Sequence, residues 1–420
     1  MSSNTSTLSD GLINGIGGTI GGGIFFLVGD LVMQNGSNAY IAFLAGAIIC
    51  LLVAFCYCIL SKEYPSEEGT ANYSKKIFKD KKMQATINGL IIIGYTTLLC
   101  VYSLSAGSYL GNYMGKPELA KNIASFVIGA CLLLSYMPDA IFNSLQTFFV
   151  STKLIVLLFV AVYGLILKSE NTNNPIINNN NSGIIKALLA SLSVFVSFEG
   201  FEMNSRYSKN MKKVNKNLPK SYFLTIIVSA IVYMGLTIAI NKHMGGQITN
   251  ENSASSLIDL VKIFGFTSIG PIVIVITNII ANVSANIATI SSNDPMIEGY
   301  MKDFGMEKSV LNKKISLLGN KKSAMLWVLC ILAIMFISYG PTPIVKNSGS
   351  FSFLIIFTIV CAMTFMTIQK KEKNKEDILI HDIKFTPKFC KSISLLGAIL
   401  CAIGSGVLIK DIYEEINVKP

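Results

Sequence analysis

The sequence predicts an all-α integral membrane bundle of about eleven spans, arranged as two five-helix repeats of opposite orientation plus a last helix, with the first and sixth helices interrupted. Three observations lead there. The apolar residues fall in bilayer-length blocks, the basic residues alternate from loop to loop in register with those blocks, and two blocks half a chain apart carry glycines and carboxylates that do not suit a continuous membrane helix.

Hydrophobic residues make up 51% of the 420-residue chain and charged residues only 14%, with a mean hydropathy of +0.55, whereas an ordinary soluble domain carries roughly 25% charged residues. Water is therefore not the main solvent of this chain. A hydrocarbon core of ~30 Å requires a helix of about 20 apolar residues, and such blocks lie near residues 11–33, 39–61, 85–113, 122–137, 145–167, 184–204, 221–241, 270–292, 324–339, 350–368 and 392–410. The block at 324–339 is the shortest, and Pro341 and Pro343 set its end because proline cannot continue the hydrogen-bond ladder. Residues 1–10 lack a basic leader and the first block is too long for a signal-peptide core, so the first span is expected to be retained. The nine cysteines are scattered singly, without the spacing of a metal site or redox pair, and read as small core hydrophobes. No metal and no cofactor is expected.

A net charge of +11 could suggest a nucleic-acid partner, but sorting the charges by loop removes that reading. Loops 62–84, 205–220, 293–323 and 369–391 hold 25 basic residues, and the intervening side holds nine. This alternation predicts a cytoplasmic N-terminus, a C-terminus outside and a multi-pass protein of the cell membrane, whose surplus charge records topology. Lys153 is the exception, since it falls inside the fifth span. The asparagine-rich run Asn171–Ser182 reads as a flexible outer loop with no assigned role.

The first span contains the glycine-rich run from Asn14 to Phe26, and each glycine weakens a helix by about 1 kcal/mol relative to alanine. The helix is expected to unwind near Gly21, Gly22 and Gly23, which membrane depth tolerates only where the freed backbone lines an enclosed cavity. The half-helix beginning at Gly22 to Ile24 would present free N–H groups to a carboxylate, and the carbonyls ending the other half would suit an ammonium. Close helix packing is the alternative, because Gly17/Gly21 and Gly18/Gly22 keep a small-xxx-small spacing. A dinucleotide loop fits neither the glycine spacing nor the helical context.

In the sixth span Gly200 sits between Glu199 and Glu202. An ionisable residue at the centre of a membrane helix costs about 2.5–3.5 kcal/mol on insertion scales, so it normally faces a cavity or a partner. For Glu202, near the end of the block, snorkelling to the surface is the alternative. Interrupted helices at matching positions of two halves point to an inverted-repeat transporter, here with residues 10–167 and 184–368 as the repeats and 392–410 as an additional C-terminal helix.

Several stretches taken in order, GIGGTIGGGIF, YPSEEGTANY, STKLIVLL, SFEGFE followed by NLPK, and ANVSANIATISSNDPMIEGYMKDFG, resemble the amino acid, polyamine and organocation (APC) transporter superfamily, amino acid permease type, over most of residues 10–305. The resemblance implies a LeuT-type 5+5 inverted-repeat bundle and a secondary transporter of amino acids or related amines working by alternating access, coupled to protons or to an exchanged substrate. It implies a substrate carboxylate at the amides of Gly22 and Gly23, an amine at carbonyls near Thr19, Ile20, Val196 and Glu199, and an aromatic at Phe198 that packs on the substrate or on neighbouring helices. It also places Lys153 where related transporters bind sodium, as a coupling residue that burial among spans one, five and eight would prime for proton release, with snorkelling as the alternative. Glu202 is a second proton-carrier candidate.

The sequence departs from the family pattern in two places. The stretch Tyr207–Pro219 is longer than expected and lacks the usual acidic and Asn-Pro step, and Glu199 stands where relatives often have an apolar residue. If Glu199 faces the site ionised, a cationic or amine-bearing substrate follows. The expected partners are thus a small amino acid or amine, a proton or exchanged substrate, and the lipid bilayer. A non-transporting sensor or partner subunit on the same fold is the alternative function. An enzyme is not expected, because His243 and His381 fall in loops on opposite sides and no catalytic grouping is visible. A channel would need a repeated filter segment, and none is seen.

Overall fold

A computed structural model describes residues 6–169, 181–249, 253–306, 308–318 and 320–417, so all but the last two residues of the predicted asparagine-rich loop lie outside the described residues. The first span is two helices, α1 (Leu8–Thr19) and α2 (Gly22–Asn35). A capping box opens α1: Thr7 Oγ1 accepts from the amide of Asp10 at 3.3 Å, and Thr7 N donates to the Asp10 carboxylate at 2.7 Å. A short turn at Gly36–Asn38 leads into α3 (Ala39–Glu63), and α4 (Thr70–Ile77) precedes the long α5 (Lys81–Tyr113). Then come α6 (Ala120–Leu134), α7 (Asp139–Ile166), α8 (Asn181–Ser193), α9 (Val214–Met244), α10 (Ser256–Ile263), α11 (Ile269–Asp303), α12 (Ala324–Tyr339), α13 (Thr342–Lys373) and α14 (Pro387–Asn417).

Each predicted span coincides with helical backbone, but among the described residues eight stretches are long and apolar enough to cross a bilayer, one of them running from Gly22 to Glu63. Gly183–Leu192 and Ala324–Tyr339 are shorter apolar helices. The protein is therefore a multi-pass membrane protein. Two expected boundaries move for identifiable reasons. α11 continues to Asp303, past the predicted end at 292, because the helix accommodates Pro295 at the loss of the one backbone bond that proline cannot donate. The prolines expected to close the ninth span begin α13, where a missing N–H and a fixed φ suit the first turn.

Two small antiparallel hairpins accompany the helices, β1 (Lys314–Leu317) with β2 (Asn320–Ser323) and β3 (Ile378–Ile380) with β4 (Ile383–Phe385). In the second, Ile380 pairs with Ile383 across His381 and Asp382, whose φ values of +50° and +63° supply the left-handed pair that a two-residue hairpin demands. His381 is thus a turn residue.

The four basic segments meet on one face. Ser66 N donates to Ser208 Oγ at 2.9 Å, Asn210 Nδ2 donates to Glu67 at 2.8 Å, Lys75 bridges Glu68 and Asp303, Lys62 donates to the Leu379 carbonyl at 3.3 Å, and Lys371 pairs with Glu63 at 2.7 Å. On the opposite face Lys121 donates to the carbonyl of Gly340 at 3.0 Å and Lys242 to that of Leu165 at 2.8 Å. All nine cysteines are free and buried. The interior also holds eight tyrosines among its largest fully buried side chains, and several of them converge on the interrupted helices.

Candidate functional site

The α-helical ladder of the first span stops at Thr19 and restarts at Gly22, with Gly21 outside helical backbone at φ −117° and ψ −144° and without a side-chain cap. Close approach explains the glycines here. A Cβ on Gly21 would lie 2.8 Å from the Tyr102 ring, one on Gly22 2.6 Å from Asn282 Oδ1, and one on Gly23 2.8 Å from Ser197 Oγ. At the start of α2 the amides of Gly22, Gly23 and Ile24 have no intrahelical acceptor, as at any helix N-terminus. Ile20 and Ile24 are fully buried.

The sixth span breaks more thoroughly. After α8 the backbone tightens into 3₁₀ turns at Val194–Phe198 and Phe201–Ser208, joined by Gly200 at φ +116°. There a Cβ would stand 2.5 Å from the carbonyl carbon of Gly18 and 2.6 Å from the amide of Thr19, so the two interrupted spans touch through glycine backbone. Both of the predicted breaks therefore exist and lie against each other.

Side chains then tie the breaks to the surrounding helices. Lys153 of α7 is fully buried and uses its three N–H donors on Gly17 O at 2.9 Å, Ile20 O at 2.6 Å and Ser284 Oγ of α11 at 3.3 Å. Its ammonium faces inward, among the spans named from the sequence, and does not snorkel. The Ile20 carbonyl, expected to meet a substrate amine, accepts from this lysine instead. Glu202 is also buried: Oε2 accepts from Gly200 N at 2.7 Å and Oε1 from the Tyr95 hydroxyl at 3.1 Å. The Glu199 side chain is fully buried, and among the described residues neither carboxyl oxygen has a hydrogen-bond partner. Phe198 packs edge-on against Tyr233 and Phe43, with ring centroids 5.3 and 6.4 Å apart, and its ring also lies over Gly46. Val196 belongs to the first 3₁₀ segment.

Sequence reasoning missed the tyrosines. The Tyr102 hydroxyl donates to Gly18 O at 3.0 Å and that of Tyr109 to Phe25 O at 2.9 Å, while the Tyr233 hydroxyl reaches both Thr19 O at 3.0 Å and Ser197 O at 2.7 Å. Their signal was a polar-tipped ring inside an apolar block, which hydropathy counts only as apolar bulk.

The stretch after the sixth span, whose contacts the sequence left in doubt, is anchored. The chain at Ser6 pairs with it: Ser6 N donates to Asn210 O at 3.3 Å and Lys212 N donates to Ser6 O at 2.8 Å. Nearby, the Asp294 carboxylate accepts from Ser323 N at 3.1 Å, and burial pushes the Lys322 ammonium beside it below the usual lysine range, a shift that Asp294 opposes.

These interrupted helices can be set beside known proteins. A family model described as amino acid permease matches residues 11–413. The chain is 23% identical over 371 residues to an uncharacterised protein of Methanocaldococcus jannaschii, covering 88% of this chain and 84% of that one. It is 20% identical over 354 residues to the inner membrane transport protein YbaT of Escherichia coli, covering 82% and 80%. It is 25% identical over 289 residues to the branched-chain amino acid permease BcaP of Bacillus subtilis, covering 61% of each.

Proposed function

The chain belongs to the amino acid permease family, and on that premise we propose that it is a secondary transporter that moves an amino acid or a related amine across the cell membrane by alternating access. The observation that carries this reading is the mutual contact of two interrupted helices through Gly200 and Gly18, with buried polar groups left around them. Free amides at Gly22, Gly23 and Ile24 would take the substrate carboxylate, and carbonyls at Thr19, Val196 and Glu199 its amine. Gly21 and Gly200 keep both backbones close to that guest, and Phe198 closes one side of the site.

The reading includes a LeuT-type arrangement, with residues 10–167 and 184–368 as inverted repeats and 392–410 as an additional helix. The convergence of the four basic segments on one face supports a cytoplasmic N-terminus. Lys153 would hold the place of a coupling cation, and Lys153 together with Glu202 would pass the coupled proton; exchange of one substrate for another is the other mode the site allows.

The test is counterflow. Purified protein in liposomes preloaded with unlabelled amino acid should accumulate the labelled species transiently, with pH and sodium varied separately. Binding without accumulation for every amino acid and amine tried would replace transport with sensing.

A further inference from the structure

The carbonyls at the end of α1 already have donors. Lys153 donates to those of Gly17 and Ile20, the Tyr102 hydroxyl to that of Gly18, and both the Tyr233 hydroxyl and the amide of Gly21 to that of Thr19. Across the break an acceptor stands bare. Asn282 of α11 is fully buried, and its Oδ1 has no hydrogen-bond partner among the described residues.

Backbone carbonyls at two points fix which way that amide faces. Asn282 Nδ2 lies 2.9 Å from the carbonyl of Asn278, which can only accept, so the nitrogen faces Asn278 and the oxygen faces away. Nδ2 also donates to Asn278 Oδ1 at 3.2 Å, Asn278 Nδ2 donates to Ser105 Oγ at 3.2 Å, and Ser105 Oγ donates to the Gly22 carbonyl at 3.3 Å. Turning either amide would set acceptor against acceptor. The series therefore holds Asn282 Oδ1 at the start of α2, 2.6 Å from where a Cβ on Gly22 would lie, and standard bond lengths then put it within about 5 Å of the Gly22 amide nitrogen.

The surroundings of that oxygen are of the opposite kind. The first amides of α2 donate, as at any helix N-terminus, and the unpartnered Ser197 hydroxyl, 2.8 Å from the matching point on Gly23, can donate as well. An amide oxygen only accepts. A buried acceptor left bare lowers stability, and a helix N-terminus with such an acceptor at its edge suits a guest whose anionic group has a protonated nitrogen beside it.

We infer that Asn282 is a specificity-determining residue of the transporter, whose Oδ1 accepts an N–H of the substrate α-ammonium while the carboxylate on the same carbon lies on the α2 amides. This rests on the transporter reading and gives part of the amine recognition to α11. The carbonyls of Val196 and Glu199 remain for the other hydrogens of that ammonium.

The experiment is counterflow with the full chain in liposomes, using labelled alanine, leucine and lysine in turn. Each is paired with the competitor that lacks only its α-amine: propanoate, 4-methylpentanoate and 6-aminohexanoate. For every amino acid that accumulates, Asn282→Leu should raise KM roughly tenfold or more, the loss of a hydrogen bond to a charged group, and leave the inhibition constant of the matching competitor within about threefold. Asn282→Asp, whose protonated form keeps one donor for Asn278 and one free acceptor, should restore KM to within about threefold of wild type. Should Asn282→Leu fail to fold, Asn282→Ala decides in its place. An unchanged KM in the folded variant, or KM and inhibition constant rising together as a general distortion of the site would make them, overturns the inference and leaves transport standing. Accumulation confined to amines without a carboxylate does the same. No accumulation of any amino acid or amine overturns the transport reading, and this inference with it.

Discussion

Lys153 donates through Nζ to the carbonyl of Ile20 at 2.6 Å, the shortest of three bonds that fasten α7 and α11 to the end of α1. A lysine in this place supplies donors to backbone carbonyls freed by the helix break, and on the transporter reading proposed above it would also be the charge that coupling acts on.

Replacing it by methionine should therefore damage both stability and coupling. Lys153→Met leaves the Gly17 and Ile20 carbonyls buried without their donor, at about 1–3 kcal/mol each. The expected outcome is a lower Tm in detergent and uptake reduced at least tenfold, with the remaining uptake insensitive to a pH gradient. Thermal unfolding and liposome uptake at two external pH values check the two effects separately.

Glu202 holds the amide of Gly200 with one oxygen and the Tyr95 hydroxyl with the other. Glutamine keeps one acceptor but turns an N–H₂ toward a donor, and it cannot exchange a proton. Glu202→Gln is expected to flatten the pH profile of uptake, whereas Tyr95→Phe, which removes only the 3.1 Å bond, should retain that profile and lower the rate by roughly tenfold or less. A pH profile unaltered in Glu202→Gln would assign proton coupling elsewhere.

The contact between the broken spans makes a sharp prediction about glycines. Gly200→Ala combines a φ of +116° with a methyl group 2.5 Å from the backbone of Gly18, a strain on the order of 1–3 kcal/mol before any overlap is counted. Loss of uptake and of folded yield is expected. Gly89→Ala and Gly129→Ala, where an added Cβ meets nothing within 4 Å, should be neutral or stabilise by up to about 1 kcal/mol through helix propensity. Size-exclusion recovery and Tm distinguish the three.

At the basic face, the main chain at Ser6 is bonded to Asn210 and Lys212. Deleting residues 1–6 removes two backbone hydrogen bonds of about 1 kcal/mol each, which should raise the opening of the segment around Lys209 to Lys213 by tenfold or more. Trypsin cleavage there should accelerate accordingly. Ser6→Pro, which removes a single donor, should give an intermediate rate.

Much of this arrangement was legible in the sequence because its causes are local. Glycine density marked the break at Gly21, paired carboxylates marked the one at Gly200, and a lone lysine in an apolar block marked Lys153. The rest depends on side chains from distant segments. Nothing near Tyr233 in sequence reveals that its hydroxyl will sit between Thr19 and Ser197, and nothing near Asn282 reveals that its oxygen will face Gly22. The hairpin at His381 and Asp382 escaped because its strands are three residues long, too short for an alternating pattern to register. The start of α13 was hidden by reading Pro341 as a stop, when proline serves equally well as an opening residue.

The Tyr233 phenol has a further consequence. It has a single hydrogen and two carbonyls within reach, Ser197 O at 2.7 Å and Thr19 O at 3.0 Å, and one proton can serve only one claimant at a time. Thr19 O also accepts from the amide of Gly21 at 3.0 Å, so the phenol can turn wholly to Ser197 O without leaving Thr19 O bare, and a swing of this one hydroxyl links the two interrupted spans.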